Sequence, residues 1–551
     1  MIRLIVNGFL AKRDRVDVLL LGIFLAVGIR ALGKLLGALR RLPGRREEIV
    51  PGIIRILRLL PAVHAKIEKE KSAARKSIEH SILVPVGDGV STLPEAGVDA
   101  ERIVGILSSK SSAERSNWTG GNLTGAVYSI SEDIDKVQSF ALSHFGKTNL
   151  LHPDIFTHTR QMEAEVIAMT LSLFSGGPES CGSVTSGGTE SILLAMKTYR
   201  DFAKASRNIT VPNIVVPSTA HAACIKAGEY FGIQVRRAWC DPERFFEVDL
   251  SSMETLIDSN TVALVGSAPQ YPHGTMDPIP AIARLARDRG IGCHVDGCLG
   301  SFLLPFLQDE LPFGFDFSVP GVTSISCDTH KYAYAPKGSS VLMWRSAAVR
   351  RFQYSVCSDW EGGLYATPTV SGSRSSSAVV GAWATMLHMG REGYRECAFR
   401  IRAAAKMIER TVREDLGSEL KMLGRVDTSV VSFTSLTLSI YDIADFMKSK
   451  TKRKWTVAIL QKPAGVHFAV TMANADHCAE FSEDLVSAVR SERRRVAAGG
   501  KVGASDSAAI YGSTASVPIT LVNELVVDYL DTCYALAPPA AASSPLANDR
   551  K

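Results

Sequence analysis

Nowhere in the 551 residues do two cysteines form a Cys-x-x-Cys pair, although the chain has 10 cysteines. Thiols scattered in this way build neither a zinc site nor a disulfide framework, and they suit a reducing compartment. No metal site is expected. Charge of one sign is also scarce: the formal net charge is +6. That excess is small for the length, so nucleic acid is not an expected partner. Internal repeats are lacking. The uncharged apolar run near the N-terminus, Val18 to Ile29, has 12 residues, fewer than the roughly 20 that a membrane-spanning helix needs.

What is present is ordinary for a globular chain of two or three folding units, 46% hydrophobic and 21% charged. The apolar run extends to Leu36 if Arg30 and Lys34 snorkel to the interface. Arg40, Arg41, Arg45 and Arg46 follow it, which favours a cytosolic C-terminal side. A membrane anchor is the expectation for this segment. An organelle-targeting presequence and an interfacial helix compete with it, because the first 46 residues are Arg-rich and acid-poor. Asn117, Asn122 and Asn208 each begin an N-x-Thr sequon, exposed to glycosylation only if the part of the chain after the apolar run is lumenal.

Glu47 to Ser77 has a charged helical pattern. Met162 to Phe174 is apolar at helical spacing and reads as a core helix. In Thr185-Ser-Gly-Gly-Thr-Glu-Ser191 two glycines and a threonine open a helix over about Glu190 to Lys204. Free backbone N–H groups and a hydroxyl at such a terminus suit a phosphate, and missing side chains allow close approach. The competing reading is an ordinary helix with Thr189 as its cap. Apolar β-type runs at Ile214–Val216, Val262–Val265, Ile291–Val295 and Val322–Ile325 then alternate with helical segments. That rhythm implies a largely parallel sheet covered on both faces. His221 follows the first run, where a flat imidazole can stack on a cofactor ring.

The chain is organised around Ser326-Cys-Asp-Thr-His-Lys-Tyr-Ala-Tyr-Ala-Pro-Lys-Gly-Ser-Ser-Val-Leu-Met-Trp-Arg345, which reads as strand, polar loop, strand. Lys331 is the candidate nucleophile of a Schiff base. Upstream, Asp296 in His294-Val-Asp-Gly297 ends an apolar run. Pyridoxal 5′-phosphate requires such a pair: a lysine for its aldehyde and a carboxylate for its pyridine nitrogen.

In order and spacing, Gly187-Gly-Thr189, His221, Asp296, His330-Lys331 and Ser371-Gly-Ser-Arg374 resemble the fold-type I pyridoxal-phosphate enzymes of the group II decarboxylase branch. Leu151-His-Pro-Asp-Ile-Phe156, Ala220-His-Ala-Ala223, Asp328-Thr-His-Lys-Tyr332 and Tyr334-Ala-Pro-Lys-Gly-Ser-Ser340 narrow the resemblance to the sphingosine-1-phosphate lyase family. It covers roughly residues 120 to 520. Departures are mild: Cys327 and Ala333 flank the lysine motif, and Ser375-Ser-Ser377 follows Arg374 where the family often has Pro-Gly.

The resemblance implies an α/β fold of type I. Its large domain would hold a mostly parallel seven-stranded sheet, and a smaller C-terminal α+β domain would follow. The expected division is 1–60 anchor and basic linker, 61–145 N-terminal segment, 146–374 large domain, 375–535 small domain and 536–551 disordered tail. In the C-terminal part, Ser375 to Met389 and Gly393 to Leu416 read as helices, Val430–Phe433 and Val466–Met472 as strands, and Phe481 to Val496 as a helix. Ala508-Ala-Ile-Tyr-Gly512 resembles a family segment near the active-site mouth.

By the same resemblance Lys331 carries the coenzyme, Asp296 pairs with its ring nitrogen and His221 stacks on its face. Gly188, Thr189, His330 and Ser373 cradle the coenzyme phosphate. Tyr128, Asn149, His152 and Lys337 hold the substrate phosphate, and Tyr365 transfers a proton. The implied reaction cleaves the C2–C3 bond of phosphorylated sphingoid bases. Amino-acid decarboxylation is the alternative, and a non-catalytic lipid-binding relative a third reading. A homodimer is implied, as is an endoplasmic reticulum membrane location with the catalytic part facing the cytosol; the alternative is the mitochondrion.

Overall fold

The short β-branched runs become the strands of a seven-stranded sheet. In the computed structural model, which describes residues 61–83, 90–503, 505, 507–508 and 519–536, the sheet follows directly on two helices, α1 (Glu132–Phe145) and α2 (Thr157–Leu173), with Pro61–Ile82 and Ala100–Arg115 further upstream. Then follow β1 (Cys181–Thr185), α3 (Gly188–Arg207), β2 (Asn213–Pro217), α4 (Ala223–Phe231), β3 (Gln234–Ala238), β4 (Thr261–Ser267), α5 (Ile279–Asp288), β5 (Gly292–Asp296), β6 (Ser324–Cys327) and β7 (Ser340–Trp344). The sheet order is β1-β7-β6-β5-β4-β2-β3. Strands β2 to β6 pair in parallel, and β7 runs opposite to β6 and β1. Six strands thus point one way and β7 returns between two of them.

Burial follows the pattern of the sequence. Every residue of β2, β4 and β7 is buried, as expected of strands covered on both faces. The edge strand β3, Gln-Val-Arg-Arg-Ala, is mostly polar and half open. Helix α5 buries Ile279, Ile282, Ala283 and Ala286, a single stripe at helical spacing.

Helix α6 (Ser377–Arg410) leads out of this layer, running against α1 and α2. Gly390, at φ 56° and ψ 178°, breaks its helical geometry. Beyond it lie β8 (Leu420–Met422), β9 (Val430–Ser435), α7 (Ile440–Ser449), β10 (Ala458–Gln461), β11 (Ala464–Ala469) and α8 (Cys478–Ala497). Their strands form an antiparallel sheet in the order β8-β9-β11-β10. Arg425 ties this part to the larger sheet: it meets Asp427 at 2.7 Å and Glu247 at 3.3 Å, while Asp427 accepts from the Met276 amide at 2.8 Å.

These layers belong to one compact unit, Ala100–Gly512. A second unit contains the helices Pro61–Ile82 and Ile519–Cys533, from opposite ends of the described chain. Lys71 meets Glu524 at 2.9 Å and Arg75 meets Asp528 at 2.6 Å. Among the described residues no helix is long and apolar enough to cross a membrane. The run Val18–Ile29, the segment around Tyr511 and the tail from residue 537 lie outside the described residues.

Candidate active site

Parallel strands deliver their C-terminal ends to one edge of the sheet, where open α/β sheets bind ligands. Four segments meet there. Strand β1 ends at Thr185 and turns through Gly187 into α3. The hydroxyl of Thr185 lies 2.7 Å from that of Ser191, which lies 2.9 Å from that of Ser340. This buried hydroxyl chain fixes the first turn of α3 against β1 and β7. Strand β2 ends just before His221, whose Nδ1 accepts from the Ala223 amide at 3.1 Å. Strand β5 ends on Asp296, and β6 runs into the loop of Lys331.

The lysine loop is pinned from three sides. Tyr332 donates to the Ser429 hydroxyl, and its oxygen lies 2.9 Å from the Val470 carbonyl, beside the smaller sheet. Tyr394 of α6 donates to the Ala333 carbonyl at 2.9 Å. Gln138 of α1 donates to the Tyr334 carbonyl at 2.6 Å. Tyr334 sits at φ 58°, a left-handed conformation uncommon for a side chain of its size.

A cavity of about 320 Å³ opens at this edge, lined by Ser186 to Glu190, Ile192, His221, Cys298, Asp328, His330 and Lys331. The Lys331 ammonium lies 2.8 Å from Asp328 Oδ2. Burial works to discharge Lys331, but the Asp328 carboxylate prevails and holds its pKa above the ordinary lysine value. Burial likewise opposes the charge of Asp328, yet the Lys331 ammonium keeps its carboxyl below the usual range. Asp328 Oδ1 is buried without a hydrogen-bond partner. His330 Nδ1 lies 2.7 Å from the Ser339 carbonyl, so that nitrogen carries the proton and Nε2 is left toward Asp328 at 3.7 Å. Burial lowers the His330 pKa, which favours the neutral ring. Asp296 is buried beside the cavity, and its Oδ1 accepts from the Cys298 amide at 3.1 Å and the Ser326 hydroxyl at 3.3 Å.

A second cavity, of about 430 Å³, shares Ser186 and Glu190 with the first. Lys337, Ser371, Ser373 and Arg374 line it. Asn149 holds this wall together: its amide donates to the Ser373 hydroxyl at 3.1 Å, and its Oδ1 accepts from the amides of Leu151 and Arg374. The Lys337 ammonium sits 4.8 Å from the centre of the Tyr128 ring. Burial pushes the Tyr128 phenol up to about 12, and burial pushes the Lys337 ammonium down.

Of the expected site residues, Gly188, Thr189, His221, His330 and Lys331 therefore line the first cavity, with Asp296 at its margin. Lys337 and Ser373 line the second, with Asn149 behind Ser373 and Tyr128 against Lys337. His152 is exposed and lines neither cavity. Tyr365 begins the second strand of a hairpin, Ser355–Cys357 paired with Tyr365–Thr367. It too lines neither cavity, but a side chain at Gly372 would meet its hydroxyl at 2.5 Å, next to Ser371 and Ser373.

Sequence reasoning overlooked three residues of the walls. Asp328 stands one turn before Lys331. Cys298 stands two residues after Asp296. Glu190 accepts from the Ser186 amide at 2.6 Å and the Val370 amide at 3.0 Å, joining the α3 start to the Ser371–Arg374 segment. The spacing from Lys331 and Asp296 could have flagged the first two. Nothing local marks Glu190, because its second partner lies 180 residues away.

The residues suit pyridoxal phosphate. At Gly188 an added Cβ would lie 2.8 Å from both Asp328 Oδ1 and Cys298 Sγ, so this wall admits backbone only. Amine, imidazole and helix N-terminus face one void, and the Lys331 and Lys337 cations stand on the same loop.

Comparison with known proteins agrees. The aminotransferase class-V family matches residues 180–452. The sphingosine-1-phosphate lyase of Saccharomyces cerevisiae is 38% identical over 87% of this chain and 81% of its own length. That of Arabidopsis thaliana is 36% identical over 94% of this chain and 93% of its own. The solved structure of a Burkholderia pseudomallei sphingosine-1-phosphate lyase superposes with a TM-score of 0.70 at 38% identity, covering 74% of this chain and 94% of that one. A glutamate decarboxylase from Lactobacillus brevis, 18% identical with a TM-score of 0.63, shares the fold.

Proposed function

This chain belongs to the sphingosine-1-phosphate lyase family, and from that premise we propose that it cleaves phosphorylated sphingoid bases, sphingosine 1-phosphate and dihydrosphingosine 1-phosphate, between C2 and C3. The products are a long-chain aldehyde and phosphoethanolamine, so the enzyme is a pyridoxal-phosphate-dependent carbon–carbon lyase of sphingolipid breakdown. The observation that carries this reading is one loop with two cations. Lys331 faces the first cavity and Lys337, six residues on, faces the adjoining one. A substrate with an amine at one end of its head and a phosphate at the other matches that pair.

Bound pyridoxal phosphate supplies an aldehyde for amines and a ring that withdraws electrons from the bond to be broken. Lys331 is the amine that would hold it and Asp328 the carboxylate that positions that amine. Asp296 would keep the ring nitrogen protonated, and His221 would pack on the ring face. Gly188, Thr189, His330 and Ser373 would take the coenzyme phosphate. Lys337, Asn149 and Tyr128 would take the substrate phosphate, where Lys337 acts as a compact point charge; His152 is assigned there by family likeness alone, since it lines neither cavity. The C3 hydroxyl gives up its proton, the C2–C3 bond breaks, and C2 regains a proton before phosphoethanolamine leaves. Tyr365 is the group we assign to one of these transfers.

A homodimer and attachment to the endoplasmic reticulum membrane complete the reading. Val356, Trp360 and Leu364 on the Tyr365 hairpin are exposed apolar residues, which supports cover by a second subunit. The basic apolar N-terminal stretch supports the membrane, with the catalytic part cytosolic.

The deciding experiment is turnover of both bases by the purified protein with product analysis. A long-chain aldehyde with phosphoethanolamine is expected, whereas carbon dioxide release from an amino acid would replace this reading with a decarboxylase. Lys337→Ala should raise KM for the phosphorylated base by roughly tenfold or more, as expected for a lost charge-assisted bond, with a smaller effect on kcat.

A further inference from the structure

The end of α7 and the loop after it carry Lys448, Lys450, Lys452, Arg453 and Lys454, five basic residues in seven positions with no acid among them. The four lysines are exposed, and none forms an ion pair among the described residues. Arg453 is the exception. It meets Glu480 at 2.7 Å and donates to the Gly120 carbonyl, fastening the loop to its neighbours.

The loop is held in one shape. The Thr451 hydroxyl donates to the Met447 carbonyl at 2.6 Å and accepts from the Lys454 amide at 3.2 Å. Fully buried Trp455 closes it, its amide on the Met447 carbonyl at 3.0 Å and its indole on Asp484 at 2.8 Å. Lys454 itself is at φ 55°, so the turn is fixed against its local preference. A merely solvated charge run needs no such scaffold.

The same loop is bonded to the segment that enters the active site. The Asn122 side chain donates to the Lys454 carbonyl at 3.1 Å, and Asn122 and Thr124 exchange backbone bonds with Thr456. Six residues beyond Asn122 stands Tyr128, against Lys337. Six extended residues span at most about 20 Å. The lysine surface therefore lies close to the end of the site that carries Lys337.

We propose that the 448–454 loop is a docking surface for an anionic phospholipid bilayer. Point-like ammonium groups, none of them held in an ion pair among the described residues, suit a diffuse layer of lipid phosphates and carboxylates. Nucleic acid fits less well, since strand-binding surfaces add exposed aromatic platforms and the aromatic residue of this loop is buried. One consequence rests on the substrate reading above: docking here brings the Tyr128 end of the site toward the bilayer in which a phosphorylated sphingoid base resides.

The test compares the full chain with Lys448→Glu/Lys450→Glu/Lys452→Glu/Lys454→Glu. Because the N-terminal apolar run is common to both, the readout is the difference between phosphatidylserine-containing and pure phosphatidylcholine vesicles in a flotation assay. Each lysine near an anionic surface is worth roughly fivefold. The variant should lose at least about tenfold in affinity for the anionic vesicles at low salt and nothing on phosphatidylcholine, with the four Lys→Gln changes falling between. Its KM for the base in anionic vesicles should rise in step, and kcat/KM in neutral detergent micelles should stay unchanged. Equal binding of variant and parent to anionic vesicles overturns the proposal. So does equal impairment on micelles, or tighter lysine-dependent binding of a nucleic-acid probe. If the parent fails to turn over the micellar base, the substrate reading falls while the vesicle arm still decides the docking surface.

Discussion

Lys331 is held charged by a neighbour, and that sets how fast it can act on an aldehyde. Only the neutral amine is nucleophilic, and Asp328 at 2.8 Å favours the ammonium. In Asp328→Asn the main group that raises the lysine is gone, and burial, the largest influence of all, moves it down. Each unit of fall makes about tenfold more amine neutral below the pKa. We expect apoenzyme carrying Asp328→Asn to recapture pyridoxal phosphate faster than the parent near neutral pH, followed by the return of coenzyme absorbance. An unchanged rate would mean that Asp328 does not govern the lysine. The places of Lys331, Asp296 and His221 were legible in the sequence because each ends or closely follows an apolar run, where strand ends build sites; their roles came from family likeness. The role of Asp328 as wall and counter-ion was not, because an acid near a lysine is common and only depth makes it matter. The distinction between two cavities was equally hidden, since Glu190 divides them through a contact made far along the chain.

Elements were easier to read where hydrophobic period and length agreed. The runs at 214–216, 262–265 and 291–295 fall inside or beside β2, β4 and β5, and the lysine stretch is strand, loop, strand as its pattern implies. Strand β3 carries a weak apolar signal because Arg236 and Arg237 dilute it, and β1, Cys-Gly-Ser-Val-Thr, is too short and mixed to stand out from the loop after it. Two helices were expected across 375–416, and Ser377–Arg410 is two helical stretches joined across a kink at Gly390, between the two expected ranges. That glycine has open space around it, so its constraint is purely backbone. Gly390→Ala should cost about 1–3 kcal/mol of stability, the range for a glycine-only conformation, read as a lower denaturant midpoint with coenzyme affinity intact. Gly188→Ala should do the reverse. There an added methyl meets Asp328 and Cys298 at 2.8 Å, so coenzyme affinity should drop by tenfold or more for about 1–3 kcal/mol of overpacking, with smaller effect on the midpoint.

Across the whole molecule, titration of buried groups sets the pH range of the fold. Burial lowers the imidazoles of His273, His294 and His467 from 6.5 to about 4. The unfolded chain binds their protons first, so the stability they contribute is present above about pH 6.5 and lost as pH falls through about 4. Asp277 works the other way: burial raises it from 3.8 to about 7, and its contribution is lost as pH rises through about 7. Three imidazoles outweigh one carboxyl in the shared window. The urea midpoint should therefore fall on acidification from about pH 6.5 to 4, and His467→Gln should flatten that slope by about one proton. The count of seven strands and the smaller α+β part came from family likeness rather than from periodicity, which reports elements but not their neighbours; the strand order was not legible at all. No pattern in the sequence announced that Pro61–Ile82 pairs with Ile519–Cys533. That pairing carries a consequence for how the protein is made. Glu524 is separated from Lys71 by 453 residues, so at ribosomal speed the earlier helix waits roughly 20 to 90 seconds for its mate. During that interval the nascent chain presents an unmatched cationic helix, a window in which a chaperone could hold it, and a premature stop before codon 519 would leave it unmatched for good.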